Sequence, residues 1–213
     1  FILPLQQEFG WTTAEISSAL SIRLVLFGLM APFAAALLNR YGLRNVTLAA
    51  LLIVVSALVL SLAMSRLWQL MLLWGFVVGV GTGMTALVLG ATVAARWFTA
   101  RRGLVIGILT ASAATGQLIF LPLMAGLTEH VGWRWALAVM CAMLLVAALA
   151  VLLLIRDRPS DLGLRPFGDD GAQPPPLPAA PAPIMAAAWG ALRDAAKTRV
   201  FWVLFGTFFI CGA

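Results

Sequence analysis

The run Ala35-Ala36-Leu37-Leu38-Asn39-Arg40-Tyr41-Gly42-Leu43-Arg44 stands between two long apolar blocks and turns the chain from one into the next. Gly42 permits the left-handed residue that ends a helix. Arg40 lies by the negative end of that helix's dipole, and Arg40 with Arg44 hold the turn on one side of a membrane. The flanking blocks, 14–38 and 45–64, carry 20 or more residues each. At about 1.5 Å per residue that is enough to cross roughly 30 Å of hydrocarbon. Two spans joined by a short basic turn make this an all-α membrane protein.

Outward from that turn, three more spans can be drawn at 68–95, 104–127 and 134–155. Residues 1–5 read as the tail of an earlier helix, and residue 200 onward as the head of a later one. Trp11-Thr12-Thr13-Ala14-Glu15 reads as a helix start, with an interfacial Trp and a Thr cap. Glu15, three residues after Thr12, suits a capping box. With the tail counted as the first segment, the complete spans are the second to the sixth. The 2–3, 4–5 and 6–7 connections hold eleven basic residues (Arg40, Arg44, Arg96, Arg101, Arg102, Arg156, Arg158, Arg165, Arg193, Lys197, Arg199), against Arg66 and Arg134 on the other side. The positive-inside rule assigns those three connections to the cytoplasm, as in a multi-pass protein of the cell inner membrane.

Composition agrees with the class. Of the 213 residues 62% are hydrophobic and 10% charged, too few charges to cover a water-facing surface. The net charge of +6 does not imply nucleic acid, because the basic residues are spread between hydrophobic blocks. Cys141 and Cys211 both lie in apolar blocks and His130 is the only histidine, so neither a disulfide framework nor a metal site or other cofactor is expected. No span carries a nucleophile–base pair, so an enzyme is not expected either.

The organisation expected is a transmembrane bundle over 1–155, a linker over 156–199 and the start of a seventh helix at 200–213. The chain opens without Met inside an apolar run and stops inside another, which leads us to expect a fragment. The linker contains Pro174-Pro175-Pro176-Leu177-Pro178, which favours extended backbone. Residues 184–197 then take a helical pattern, with Trp189 and Leu192 on one side and Arg193, Asp194 and Lys197 toward the other. That pattern suits a short helix on the membrane face or a simple linker helix.

The stretch 35–44 resembles the signature of the major facilitator superfamily, written G-x-L-x-D-R-x-G-R-R, with departures at Ala35, Asn39 and Leu43. Arg96-Trp97-Phe98-Thr99-Ala100-Arg101-Arg102-Gly103-Leu104 resembles the 4–5 junction of that superfamily's oxalate/formate antiporter and monocarboxylate porter branch. Arg156-Asp157-Arg158-Pro159-Ser160-Asp161-Leu162-Gly163-Leu164-Arg165-Pro166 resembles the segment after its sixth helix. The resemblance implies the six-helix N-terminal bundle of a major facilitator fold plus the start of helix 7. Most of helix 1 and a second, C-terminal half would then lie outside this sequence. It also implies a cytoplasmic gate at Asn39, Arg40, Gly42 and Arg44. Because Asn39 replaces the family's acid, a full charged latch between halves is not implied.

Two sets of residues stand out inside the spans. Gly75-x-x-x-Gly79-x-x-x-Gly83, and Gly103-x-x-x-Gly107 with Ala111, are spaced for close helix packing. Among polar residues, Thr82, Thr85 and Thr92 share a stripe with Gly75, and Thr110 and Gln117 are two turns apart on one face. These either line a polar cavity or bond to their own helix carbonyls. Arg23 either snorkels to the outer headgroups, with Glu15 or Glu8 as the nearest acids, or faces the cavity and attracts an anion. No Asp or Glu occurs deep in any complete span, which disfavours a carboxylate proton relay and fits an anion site. The expected activity is secondary active transport of a small organic anion, a monocarboxylate or dicarboxylate, by alternating access, with protons or a counter-anion as co-substrate. The rivals are an efflux carrier for amphiphilic drugs and a non-transporting receptor or scaffold with the same fold.

Overall fold

Helix α1 (Ile2–Phe9) ends at Gly10, whose φ of 69° only glycine adopts without strain, and α2 (Thr13–Tyr41) begins after Thr12. The capping box forms. The Glu15 amide donates to Thr12 Oγ1 at 3.3 Å, and the Thr12 amide donates to Glu15 Oε2 at 2.8 Å. One residue, Gly42, joins α2 to α3 (Leu43–Ser61). Helix α4 (Leu67–Trp97) starts where Gln69 Oε1 accepts from the Ser65 and Arg66 amides, and it contains a π-helical stretch at Met71–Val77. Helix α5 (Arg102–His130) runs on through Pro122, and α6 (Trp133–Leu154) follows a turn at Gly132. A 3-10 turn at Pro159–Leu162, then α7 (Ile184–Ala196) and α8 (Arg199–Gly212), complete the order.

This computed structural model describes residues 2–85, 87–168 and 184–212. The proline-rich part of the linker therefore lies outside the described residues. Among the described residues, helices α2 to α6 are the five that are long and apolar enough to cross a membrane. Their ends fall within three residues of the spans drawn from sequence. The described residues hold no strand, only an isolated bridge between Phe98 and Phe167.

Packing concentrates in α2, α3, α4 and α6, where two apolar clusters form. One gathers Leu5, Ile16, Leu58, Leu70, Trp133 and Leu137 at the end where α1 meets α2. The other gathers Leu38, Leu43, Val46, Ala50 and Met84 at the opposite end. The outside of the bundle is equally apolar, with Leu24, Leu118, Leu121, Val146 and Leu154 exposed. Water would punish such a surface and lipid would not, which is the reversal a membrane solvent imposes. Helix α5 is the outlier: it touches α6 and the last part of α4, and of its 29 residues only Thr128 is buried.

A polar clasp holds α1 to α6. Glu8 Oε2 accepts from the Trp133 indole at 2.5 Å, and Glu8 Oε1 pairs with Arg134 at 2.6 Å. The Arg134 guanidinium lies over the Trp133 ring, 4.6 Å from its centroid, and Phe9 stacks on Trp11 beside them. The indole N–H chiefly holds the Glu8 carboxyl below its usual range; burial works the other way, and Arg134 adds to the lowering. A depressed carboxyl stabilises the fold above its unfolded value and loses that contribution as the pH falls through its folded value. The pair is partly exposed, so Glu8→Gln is expected to cost about 1 kcal/mol or less. In detergent this should lower Tm by no more than about 2–4 °C near neutral pH. The difference from the unsubstituted chain should shrink once the pH drops below about 4.3. Equal melting temperatures at pH 7 would remove the clasp as a stabilising element.

Candidate functional site

At the end of the bundle that carries Arg40, Arg44, Arg96, Arg101 and Arg102, here the basic end, Gly42 connects α2 to α3 with φ 87° and ψ 161°. A β-carbon there would lie 2.7 Å from the Asp157 carboxylate, so glycine is required both by the backbone and by the space. As the residue preceding α3, Gly42 has no side chain with which to cap it. Asp157 takes that role from across the bundle, accepting from the Arg44 amide at 2.8 Å. A carboxylate at a helix N-terminus meets both the unpaired amides and the positive end of the dipole. Arg44 in turn reaches the Leu152 carbonyl with Nη2 at 2.6 Å. The C-terminal end of α6 and its following residues are thereby tied to the start of α3.

Asn39 also finds a partner. Arg96 Nη2 donates to Asn39 Oδ1 at 3.0 Å and to the Leu38 carbonyl at 3.1 Å, filling carbonyl acceptors at the end of α2. Arg40 lies over the Tyr41 ring, 5.5 Å from its centroid. Residues 156–168 fold back beneath these turns. The Phe167 amide donates to the Trp97 carbonyl at 2.8 Å, and the Thr99 amide donates to the Phe167 carbonyl at 2.9 Å. Between the turns is a polar cleft of about 280 Å³, bordered by Asn39, Arg40, Arg96, Asp157, Arg158 and Asp161. Three of the four gate residues named from sequence, Asn39, Arg40 and Gly42, border it; Arg44 reaches it only through the bond of its amide to Asp157 and points its guanidinium to α6.

Deeper in the bundle, the glycines of α4 face α2. A β-carbon at Gly75 would lie 3.2 Å from the Ala19 carbonyl, at Gly79 3.1 Å from Arg23 Cα, and at Gly83 2.7 Å from Met30 Cβ. Gly81, on the other side of α4, faces α3 in the same way, 2.6 Å from Val54 Cγ2. Gly103 and Gly107 differ. A β-carbon at either would meet nothing within 4 Å, so the two groups of glycines have different surroundings.

The polar candidates are distributed between two helices. Thr82 and Thr85 are half-buried in α4, and Thr110 and Gln117 are exposed on α5. Thr82 donates to the Val78 carbonyl at 2.7 Å and Thr110 to the Ile106 carbonyl at 2.9 Å, each bonding back into its own helix. Such a hydroxyl uses its proton internally and keeps its lone pairs. At about 1.5 Å per residue, Thr82 and Gln117 both stand about 22 Å from the basic end, near mid-depth. Arg23 has an exposed side chain, while its backbone rests against Gly79. Glu8 and Glu15, its nearest acids in sequence, are engaged by Trp133 and Arg134 and by Thr12.

Sequence reasoning gave Asp157 and Gly81 no role of their own and did not pair Glu8 with Trp133 and Arg134. A signal for Asp157 was present: the turn before α3 offers a glycine cap and an Asn, while an acid stands a few residues past the end of α6. Nothing in the sequence says that those two places meet.

A family model described as Major Facilitator Superfamily matches residues 1–213. Monocarboxylate transporter 2 of Homo sapiens is 29% identical over 154 residues, covering 70% of this chain and 31% of that protein. Monocarboxylate transporter 3 of Rattus norvegicus is 31% identical over 142 residues, 63% of this chain and 27% of that protein. The uncharacterized MFS-type transporter YcxA of Bacillus subtilis is 27% identical over 135 residues, 63% of this chain and 33% of that protein. The chain thus spans about a third of the length of these curated relatives.

Two outcomes follow for substitutions at these contacts. Gly79→Leu is expected to cost about 1–3 kcal/mol through overpacking against α2, whereas Gly107→Ala should leave Tm unchanged or raise it, since only helix propensity changes. Thermal unfolding of the two variants in one detergent compares them directly; equal losses would mean that Gly107 is packed after all. Asp157→Ala removes the cap on α3 and should cost about 1 kcal/mol, with Asp157→Asn milder because an acceptor remains. Amide hydrogen exchange at Arg44, unchanged in Asp157→Ala, would contradict the capping role.

Proposed function

The chain belongs to the Major Facilitator Superfamily, and from that premise we propose that it forms part of a secondary active transporter for a small organic anion, a monocarboxylate or dicarboxylate. The observation that carries this reading is the polar inventory of the spans. Hydroxyls, the Gln117 amide and the guanidinium of Arg23 are present, and the only acids, Glu15 and Glu129, stand in terminal turns. A carboxylate substrate is attracted by such a lining and repelled by acidic ones. Two of the relatives carry the name monocarboxylate transporter, which supports the same class.

In this reading the substrate is held near mid-depth by Arg23, Thr82, Thr85, Thr110 and Gln117, facing a second bundle outside this sequence, and the two bundles rock about it. Protons or a counter-anion complete the cycle. The basic end is cytoplasmic, in an inner membrane, by the positive-inside rule. There Asn39, Arg40, Gly42 and Arg44 form the gate. The Gly75, Gly79 and Gly83 stripe gives α2 and α4 a smooth contact on which such a motion can run, and Gly103 and Gly107 offer a matching surface on α5.

The test is counterflow of labelled pyruvate, lactate and oxalate into proteoliposomes of the full-length carrier. Competition by at least one of these anions, and an approximately tenfold or greater loss of uptake in Gln117→Ala or Arg23→Gln with partial rescue by Arg23→Lys, is the expected result. A tenfold loss corresponds to about 1.4 kcal/mol of lost interaction. Uptake competed only by amphiphilic cations would replace this reading with the efflux carrier. Binding without flux would replace it with a receptor.

A further inference from the structure

Helix α7 has three sides of different chemistry. Ala188, only 2% exposed, lies on the side that packs along α2. Met185, Trp189 and Leu192, at i, i+4 and i+7, make one apolar stripe, and Met185 and Trp189 are each 70% exposed. Arg193 and Asp194 follow on the third side, with Lys197 just beyond the helix. Exposed side by side on one stripe, these residues make an apolar patch of the kind that marks a membrane or protein contact.

The depth at which α7 sits supplies the occupant of that stripe. Phe33, Met185, Ala186 and Trp189 border one apolar cleft of about 430 Å³. Phe33 is eight residues from Tyr41, hence about 12 Å in from the basic end of α2. Helix α2, at 29 residues, is about 43 Å long, close to the full bilayer with its headgroups. That puts Phe33 about 5 Å inside the hydrocarbon boundary, and the exposed stripe of α7 beside it. Charge supplies the rest. Arg193, Lys197 and Arg199 are exposed, and Asp194, the one acid among them, pairs with Lys197 at 2.8 Å.

We infer that α7 is an anionic-lipid-binding helix: it lies in the leaflet at the basic end, with Met185, Trp189 and Leu192 among the acyl chains and Arg193, Lys197 and Arg199 on phospholipid phosphates. An interfacial helix of this kind buries its apolar side about 5–10 Å into the headgroup–acyl boundary, and anionic lipid strengthens its hold. The approach to α8, which begins three residues later at Arg199, is thereby fixed by lipid as well as by protein.

The test uses nitroxide labels at residues 189, 192 and 194, one at a time, in the full chain with Cys141 and Cys211 replaced by Ala. Each is reconstituted into phosphatidylcholine vesicles with or without phosphatidylglycerol. Labels at 189 and 192 are expected to collide more with oxygen than with a water-soluble nickel chelate, at a depth of about 5–10 Å, and the label at 194 to show the reverse. Omitting phosphatidylglycerol, or combining Arg193→Gln with Arg199→Gln, should move the 189 label toward water. Equal nickel access at 189 and 194 would make α7 a water-exposed linker helix. Closure of 189 to both reagents would mean that protein covers the stripe. A 189 depth indifferent to both phosphatidylglycerol and the charge changes would remove the anionic preference. Agreement of 189 with 192 guards against a locally misfolded variant.

Discussion

Helix α4 sits between α2 and α3 at distances where a side chain on the contact would force its neighbours to shift, and the arrangement of the bundle depends on that. Gly75, Gly79 and Gly83 admit the backbone of α2, while Gly81 admits α3 on the opposite side. Lipid tails are as apolar as leucine, so burial of apolar area does little to press membrane helices together. Close van der Waals contact has to do it, and contact area grows as the backbones approach. The π-helical stretch at Met71–Val77 belongs to the same arrangement. Gly75 lies within it and faces α2 as Gly79 and Gly83 do.

The second constraint is that every helix end at the membrane surface needs partners for its orphan groups. The bundle meets it with contacts that also join elements distant in sequence. Asp157, beyond α6, caps α3; Arg96, at the end of α4, fills the Leu38 carbonyl of α2; Phe167 bonds with residues of the α4–α5 connection. Each contact satisfies a local need and ties two parts of the basic end together. A change of relative helix position at that end must break or carry these bonds as a set.

Helix α5 stands apart from this framework. Its hydroxyls bond inward to their own carbonyls and its glycines meet nothing, so its surface is smooth and largely apolar with Gln117 as its one amide. Facing lipid, such a surface would be tolerated; facing another helix, it would allow close approach. Both readings agree with a helix of a membrane transporter family.

The sequence by itself determined the class, the number of long spans, their ends to within a few residues, and the glycine turn at position 42. These follow from hydrophobic length and from local chemistry: about 20 apolar residues cross a bilayer, and a capping box such as that of Thr12 and Glu15 involves neighbours only. The glycine spacing in α4 was equally legible as a packing pattern. Which helix it would meet was not, and the same pattern in Gly103 and Gly107 meets none among the described residues. The tertiary structure alone decided that Asp157 caps α3, that Asn39 pairs with Arg96, and that Glu8 turns to Trp133 and Arg134 rather than to Arg23. These pairs are separated by 57 to 126 residues. At that distance one sequence shows which groups need a partner, and only the packing of the helices decides which partner arrives.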